Sequence, residues 1–215
     1  MKITKYEHSC LLVEMPAPIN RTTLFDPGTM SESALDVEKL EFLDDIVITH
    51  GHSDHLSIKL IKQLRSKFPA VTITATGEVV DILEKEDIMA TSEPSEGIVF
   101  FNAPHEDVEP MFPVPEEIGV HYLDLLSHPG DSYSFKETKS VLALPVTAPW
   151  GSTVRAVNLA LELKPKYILP IHDWHWREEA RSYTYASLKD LFSQHSIEFI
   201  PLVTGEPVTI DLQKP

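Results

Sequence analysis

Four side chains able to bind a metal fall within one six-residue stretch, at His50, His52, Asp54 and His55. They follow directly on Asp45-Ile-Val-Ile-Thr49, a short β-branched run that reads as a buried strand. A strand that stops and delivers imidazoles and a carboxylate into one loop holds them on a rigid support. Both donor types suit a borderline cation such as Zn²⁺. The competing reading, a polar loop that happens to be His-rich, leaves the later strand ends unexplained. His105 follows the run Ile98–Phe101, Asp131 sits in a turn after the strand Glu117–Leu123, and His172 follows Tyr167–Ile171.

The His-x-His-x-Asp-His pattern, with Thr49 ahead of it, resembles the signature of the metallo-β-lactamase-fold hydrolases, and the likeness extends over essentially the whole chain. It implies an α/β (α+β) fold, a four-layer αββα sandwich with the metal site at the sheet edges, in one domain over residues 1–215. Carried over residue by residue, His50, His52 and His105 form a first metal site, and Asp54, His55 and His172 a second. Asp131 would bridge the two divalent ions, which the His-rich set suits as zinc, although related lactonases use manganese. The implied reaction is hydrolysis by a metal-bound hydroxide, with no covalent intermediate. Cations about 3.5–4 Å apart lower the pKa of a shared water towards ~7 and polarise the oxygen under attack. Asp54 is then both ligand and catalytic group, orienting that hydroxide. Asp26, in Asp26-Pro27-Gly28, matches the acid that supports the metal loop in the family and reads equally well as a turn residue.

The remaining histidines divide. His8-Ser9-Cys10 resembles the opening of a subgroup that includes L-ascorbate 6-phosphate lactonase, which points to a small ester, lactone or phosphorylated small molecule. His175, in His172-Asp-Trp-His-Trp176, is the second catalytic candidate: it either protonates a leaving group or packs with Trp174 and Trp176. His128 reads as a turn residue, while His121 and His195 carry no functional signal. The Pro-rich, acidic loop Glu106–Glu117 and the segment Thr147-Ala-Pro-Trp150-Gly151 are candidate pocket walls.

Several elements must position these groups. Residues 2–6, 9–14, Thr22–Phe25, Val71–Thr74 and Val141–Pro145 read as further strands, with two more near 197–202 and 207–211. Helices are expected at Ser31–Leu40, from an N-cap at Ser57 to Phe68, at Gly77–Lys85, at Val154–Leu163 and around Ala186–His195.

A chain of 215 residues supports one sizeable core, and 42% hydrophobic with 24% charged residues is ordinary for a soluble protein. No run approaches the roughly 18 apolar residues of a membrane span, and Met1-Lys-Ile-Thr-Lys5 has no apolar signal region. Lone Cys10 lies in an apolar run and suits a reducing compartment, so a cytoplasmic location is expected. Two other function classes compete. A non-hydrolytic diiron-type carrier usually has carboxylate in place of a ligating imidazole and an attached flavin domain; here His52 is retained. A metal-dependent nuclease would need a basic track, and the best local candidate is the row Lys59, Lys62 and Arg65.

Charge argues against the nuclease. With 33 acidic against 18 basic residues the formal net charge is −15, and repulsion from a polyanion acts over a Debye length of about 8 Å at physiological salt. A small-molecule substrate is expected, and no nucleic acid. Titrating the metal-loaded protein with tRNA and single-stranded DNA at low salt should show no micromolar binding. Tight binding that weakens steeply with salt and is abolished by Lys59→Glu with Lys62→Glu would restore the nuclease.

Overall fold

A computed structural model describes residues 1–212. In chain order it has β1 (Lys2–Lys5), β2 (Leu11–Met15), β3 (Arg21–Phe25), β4 (Asp45–Ile48), α1 (Ile58–Lys67), β5 (Thr72–Ala75) and α2 (Gly77–Glu84). There follow β6 (Ile98–Phe101), β7 (Gly119–Tyr122), β8 (Leu126–His128), β9 (Val141–Pro145), α3 (Thr153–Leu163), β10 (Tyr167–Ile171), α4 (Glu178–Ser193), β11 (Glu198–Phe199) and β12 (Pro207–Thr209). This is a mixed α/β fold with two sheets and four helices. The described chain divides into two compact units, one of residues 1–95 with residues 202–212, the other of residues 96–201. No helix among the described residues is long and apolar enough to cross a membrane.

In the first unit a six-stranded sheet has the order β12-β1-β2-β3-β4-β5. β12, β1, β2 and β3 pair antiparallel, while β3, β4 and β5 are parallel. Side chains alternate along each strand, and both sets are apolar. Leu12, Leu24, Ile46, Ile48 and Ile73 pack with Leu60, Ile61 and Leu64 of α1 and Val79 and Leu83 of α2. Leu11, Val13, Phe25 and Val47 point the other way and are also fully buried. The expected N-cap is present: Ser57 Oγ accepts from Leu60 N at 3.2 Å, and Thr76 does the same for Val79 at 3.3 Å.

The helix expected over Ser31–Leu40 is absent; two short 3-10 turns, Thr29–Ser31 and Val37–Lys39, stand in its place. Leu35, Val37, Leu40 and Leu43 all enter one core. Residues two apart lie about 200° apart around an α-helix, so one helix could not bury both Leu35 and Val37. The Asp36 carboxylate also takes the Glu38 N–H at 3.2 Å, offering the backbone an alternative to a helical bond.

The second unit holds a six-stranded sheet ordered β11-β10-β9-β8-β7-β6. β8 to β11 are parallel, and β7 runs against β8 and β6. Leu142, Leu144 and Ile168 pack with Ala156, Leu159 and Ala160 of α3 and Leu188 and Phe192 of α4. Strand β8 has no counterpart in the sequence reading, whose turn begins at His128, because three residues carry too little periodicity. Helix α4 starts at Glu178, well before the expected Ala186. Its first turns are polar and exposed (Glu178, Glu179, Ser182), so the apolar spacing begins only at Tyr185. The pairings also fix direction: β1, β3, β4 and β5 run one way in their sheet, and β6, β8, β9 and β10 run one way in theirs. Loops that carry candidate ligands leave the carboxyl ends of such aligned strands, the usual place for sites in α/β sheets.

The start of β4 is pinned by a pair absent from the sequence reading. Arg21 Nε and Nη2 donate to Asp45 Oδ2 and Oδ1 at 2.5 and 2.9 Å. Asp45 is almost fully buried, whereas Arg21 reaches solvent. Removing the cation strands a buried carboxylate; removing the acid leaves a guanidinium that water can reach. Arg21→Met should therefore cost about 3 kcal/mol in urea unfolding at pH 7, and more than Asp45→Ala.

Candidate metal centre

In the first unit the site is organised by Asp26, which follows β3, is fully buried and has a left-handed backbone (φ 43°). Its Oδ1 accepts the Thr49 N–H at 2.8 Å, and its Oδ2 accepts the Thr49 hydroxyl at 2.8 Å and His55 Nδ1 at 2.7 Å. The Thr49 proton is thereby committed, so its oxygen accepts from His50 Nδ1 at 3.1 Å. Both imidazoles are held through Nδ1, which leaves Nε2 as the candidate ligand atom, the arrangement by which carboxylates orient metal-binding histidines. The rings of His50 and His55 lie 4.1 Å apart, and those of His50 and His52 4.9 Å.

His8 joins this group. It leaves the carboxyl end of β1 in a turn closed by Tyr6 N to Cys10 O (2.8 Å) and Cys10 N to Glu7 O (3.0 Å). It is buried, with φ 49°, and its Nε2 is 3.1 Å from Asp54 Oδ2. His8, Asp54 and His55 bring one donor atom each within 4.8 Å of one another. The loop is backed by the turn after Asp26, through Thr29 N to Ser53 O (2.8 Å) and Ser57 N to Pro27 O (2.9 Å). Gly28 presses so closely that a Cβ there would lie 1.7 Å from the Asp54 carbonyl oxygen.

In the second unit His105 Nδ1 donates to Glu106 O at 2.6 Å and His172 Nδ1 to Thr147 O at 3.1 Å, so these rings too are turned by their Nδ1 bonds. Asp131 is buried between their Nε2 atoms: Oδ1 is 2.9 Å from His172, and Oδ2 is 3.7 Å from His105. One carboxylate thus faces two imidazoles with two different oxygens. Asp131 N is held by Glu117 Oε1 at 3.1 Å. His172 adopts φ 67°, and the next residue, buried Asp173, accepts from Tyr185 Oη through its carboxylate, which also forms an ion pair with Arg181 (Nε at 3.1 Å). Burial first, and then the Asp173 charge, raise the Tyr185 pKa and keep the phenol a donor.

Other sequence candidates fall outside this core. His175 is exposed, with its ring 6.4 Å from that of Trp176; desolvation, then nearby His172, lower its pKa below the ordinary imidazole value. His128 accepts the Gly130 N–H at 3.3 Å within its turn, and His121 stacks on Phe101 and bonds Ser127. Burial pushes the Cys10 thiol up to about 12, so it is inert at neutral pH. The basic row is already engaged. Lys59 pairs with Glu32 (2.8 Å), Lys62 with Glu86 (2.6 Å), and Arg65 caps the carbonyls of Pro69, Val71 and Met89. Sequence reasoning missed Thr49 as a relay, Gly28 as a close contact, and the Asp173–Tyr185–Arg181 brace. Gly28 left a local signal in its turn tripeptide and Thr49 one in its place ahead of the histidine pattern; the brace left none.

The chain is similar to known proteins over most of its length. The family model for the Beta-lactamase superfamily domain matches residues 2–172. Protein Rv0786c of Mycobacterium tuberculosis is 31% identical over 204 residues, covering 89% of this chain and 92% of its own. A UPF0173 metal-dependent hydrolase of Carboxydothermus hydrogenoformans is 28% identical over 200 residues, covering 82% and 86%. Among solved structures, Igni18, a metallo hydrolase from Ignicoccus hospitalis, superposes with a TM-score of 0.73 at 18% identity over 99% of both chains. The chain belongs to the Beta-lactamase superfamily domain family.

Gly28→Ala should disrupt the metal loop although its backbone conformation (φ −80°) is open to any residue. The added methyl meets main chain at Asp54, which cannot yield as a side chain would. The expected outcome is a lowered melting temperature together with weakened metal binding, read by thermal unfolding and chelator competition.

Proposed function

We propose, on the premise of that family membership, that this metal-dependent hydrolase holds two divalent ions and opens a small ester or lactone. His50, His52 and His105 would hold the first ion and Asp54, His55 and His172 the second, with Asp131 giving one oxygen to each. The observation that carries the reading is the division of Asp131 between His172 Nε2 and His105 Nε2. The donor set fits such ions: Nδ1 of His50, His55, His105 and His172 is engaged in a hydrogen bond, which directs Nε2 outward as a neutral ligand. Nitrogen-rich ligation favours zinc, with manganese the alternative.

When bound, paired divalent cations lower the pKa of a water and withdraw charge from the carbonyl under attack. The protein's part is placement. Asp54, steadied by His8, is positioned to orient the attacking water and to receive its proton. His175 takes the lesser catalytic part, because an imidazole with a lowered pKa is largely neutral at pH 7 and has no proton to give at the outset. The His8-Ser9-Cys10 opening supports a lactonase-like subgroup. Engagement of Lys59, Lys62 and Arg65 by acids and carbonyls speaks for an uncharged ester over a phosphorylated substrate and against a nuclease. Lone, inert Cys10 supports the cytoplasm as the compartment.

Elemental analysis after supply of Zn²⁺ or Mn²⁺ should find two ions per chain, and a screen across lactones, thioesters, phosphodiesters and RNA should find turnover of lactones or esters. Asp131→Ala should lose both ions, since its carboxylate offsets charge on each. His175→Ala should keep both and change activity by no more than about 10-fold. Less than one ion per chain, or cleavage of phosphodiesters alone, would sink the proposal.

A further inference from the structure

We infer that Trp150 is a positioning residue for the bridging carboxylate, its indole N–H fixing which oxygen of Asp131 serves which side of the site. The inference rests on the dinuclear reading above. Trp150 lies beyond the carboxyl end of β9, half-buried, and its Nε1 donates to Asp131 Oδ2 at 3.1 Å. The same ring sits 5.3 Å from that of His172 and 6.2 Å from that of His105. One side chain therefore touches or flanks all three candidate ligands of its unit.

The chemistry of indole suits this part. It is a donor only, with no lone pair for a cation, so it steers the carboxylate without competing for the ion. Its proton occupies one acceptor direction of Oδ2 and leaves Oδ1 turned to His172. A carboxylate without such a bond can rotate and exchange its two oxygens; this one is held in register before any cation arrives.

Trp150 is itself fixed from several sides. Its ring meets Tyr133 edge-on at 5.1 Å, and the Tyr133 hydroxyl donates to Pro145 O at 2.8 Å. A Cβ at Gly151 would come within 2.9 Å of the Tyr133 ring, so the chain after Trp150 lies directly against that ring. Arg155 donates to the Trp150 carbonyl at 3.3 Å and to Glu106 Oε2 at 2.7 Å. Glu106 in turn supplies the carbonyl that orients His105. Arg155, Trp150, Asp131 and His105 thus form one connected support, which separates this tryptophan from a ring that merely lines a pocket.

The test compares wild type, Trp150→Phe and Trp174→Phe as full-length proteins. Metal binding is followed by chelator competition with Zn²⁺ and by the visible spectrum with Co²⁺. Wild type and Trp174→Phe should bind two ions with the same spectrum, whereas Trp150→Phe should bind at least one ion about 10–100-fold more weakly with an altered Co²⁺ spectrum. Its metal-free urea midpoint should stay close to wild type. Two ions bound by Trp150→Phe with wild-type affinity and spectrum would overturn the inference while leaving the dinuclear site standing. Fewer than two ions in wild type would instead remove the dinuclear reading. Should Trp150→Phe fail to fold, the wild-type indole resonance of Trp150, assigned with Trp174→Phe and Trp176→Phe, decides. It should be shifted downfield and slow to exchange in the metal-free protein; exchange as fast as that of exposed Trp174 would overturn the inference.

Discussion

Everything in the first half of the site depends on one buried carboxylate. Asp26 takes a main-chain N–H and a hydroxyl from Thr49 and an imidazole N–H from His55, all at 2.7–2.8 Å. A carboxylate removed from water is costly unless its oxygens are bonded, and these donors satisfy it. The same bonds align β4's end with the loop that follows, so Asp26 joins strand register to ligand orientation. Its left-handed backbone aims the side chain back at Thr49, and the bonds keep that conformation in place. His8 and His172 share the left-handed region, with φ of 49° and 67°. Non-glycine residues adopt it where the surroundings over-determine them, and here three of them are candidate ligands or their supports.

The second unit reaches a similar result by other means. Its imidazoles are turned by main-chain carbonyls, Glu106 O and Thr147 O, rather than by a side-chain acid. Its one buried acid beyond His172, Asp173, is spent on bracing α4 through Tyr185 and Arg181. That brace sits next to His172 in sequence, so the packing of the helix and the placing of the ligand are coupled.

An acidic chain must place its few cations with care. Arg21 meets Asp45, Lys59 meets Glu32, Lys62 meets Glu86, and Arg155 meets Glu106. The exposed pairs contribute little to stability. Their larger effect is on function: a cation committed to a neighbouring acid presents less field to a passing phosphate. The net charge of −15 and these pairings act in the same direction, away from polyanions, which is the direction the proposed small-molecule substrate requires.

The sequence by itself determined the donor inventory and the elements that end at it. His50 to His55, His105, Asp131 and His172 could be picked out because a strand read from β-branched and apolar residues stops just before each group, or one short connection before Asp131. Strands Ile98–Phe101, Val141–Pro145 and Tyr167–Ile171 were legible to the residue, since buried runs between turn residues carry a strong local signal. The broken turns over 29–40 were not, because burying Leu35 and Val37 together is a demand of the core and not of the local chain. Nor were the supports. Arg21 for Asp45, Tyr185 for Asp173, Thr147 for His172 and Trp150 for Asp131 are partners 12 to 25 residues apart. The choice among many acids, rings and carbonyls is made by strand register and helix packing. A carbonyl acceptor leaves no trace in residue type at all, since every residue has one. Ligand identity is a property of side chains and is written locally, whereas ligand orientation is a property of distance and angle that only the folded chain possesses.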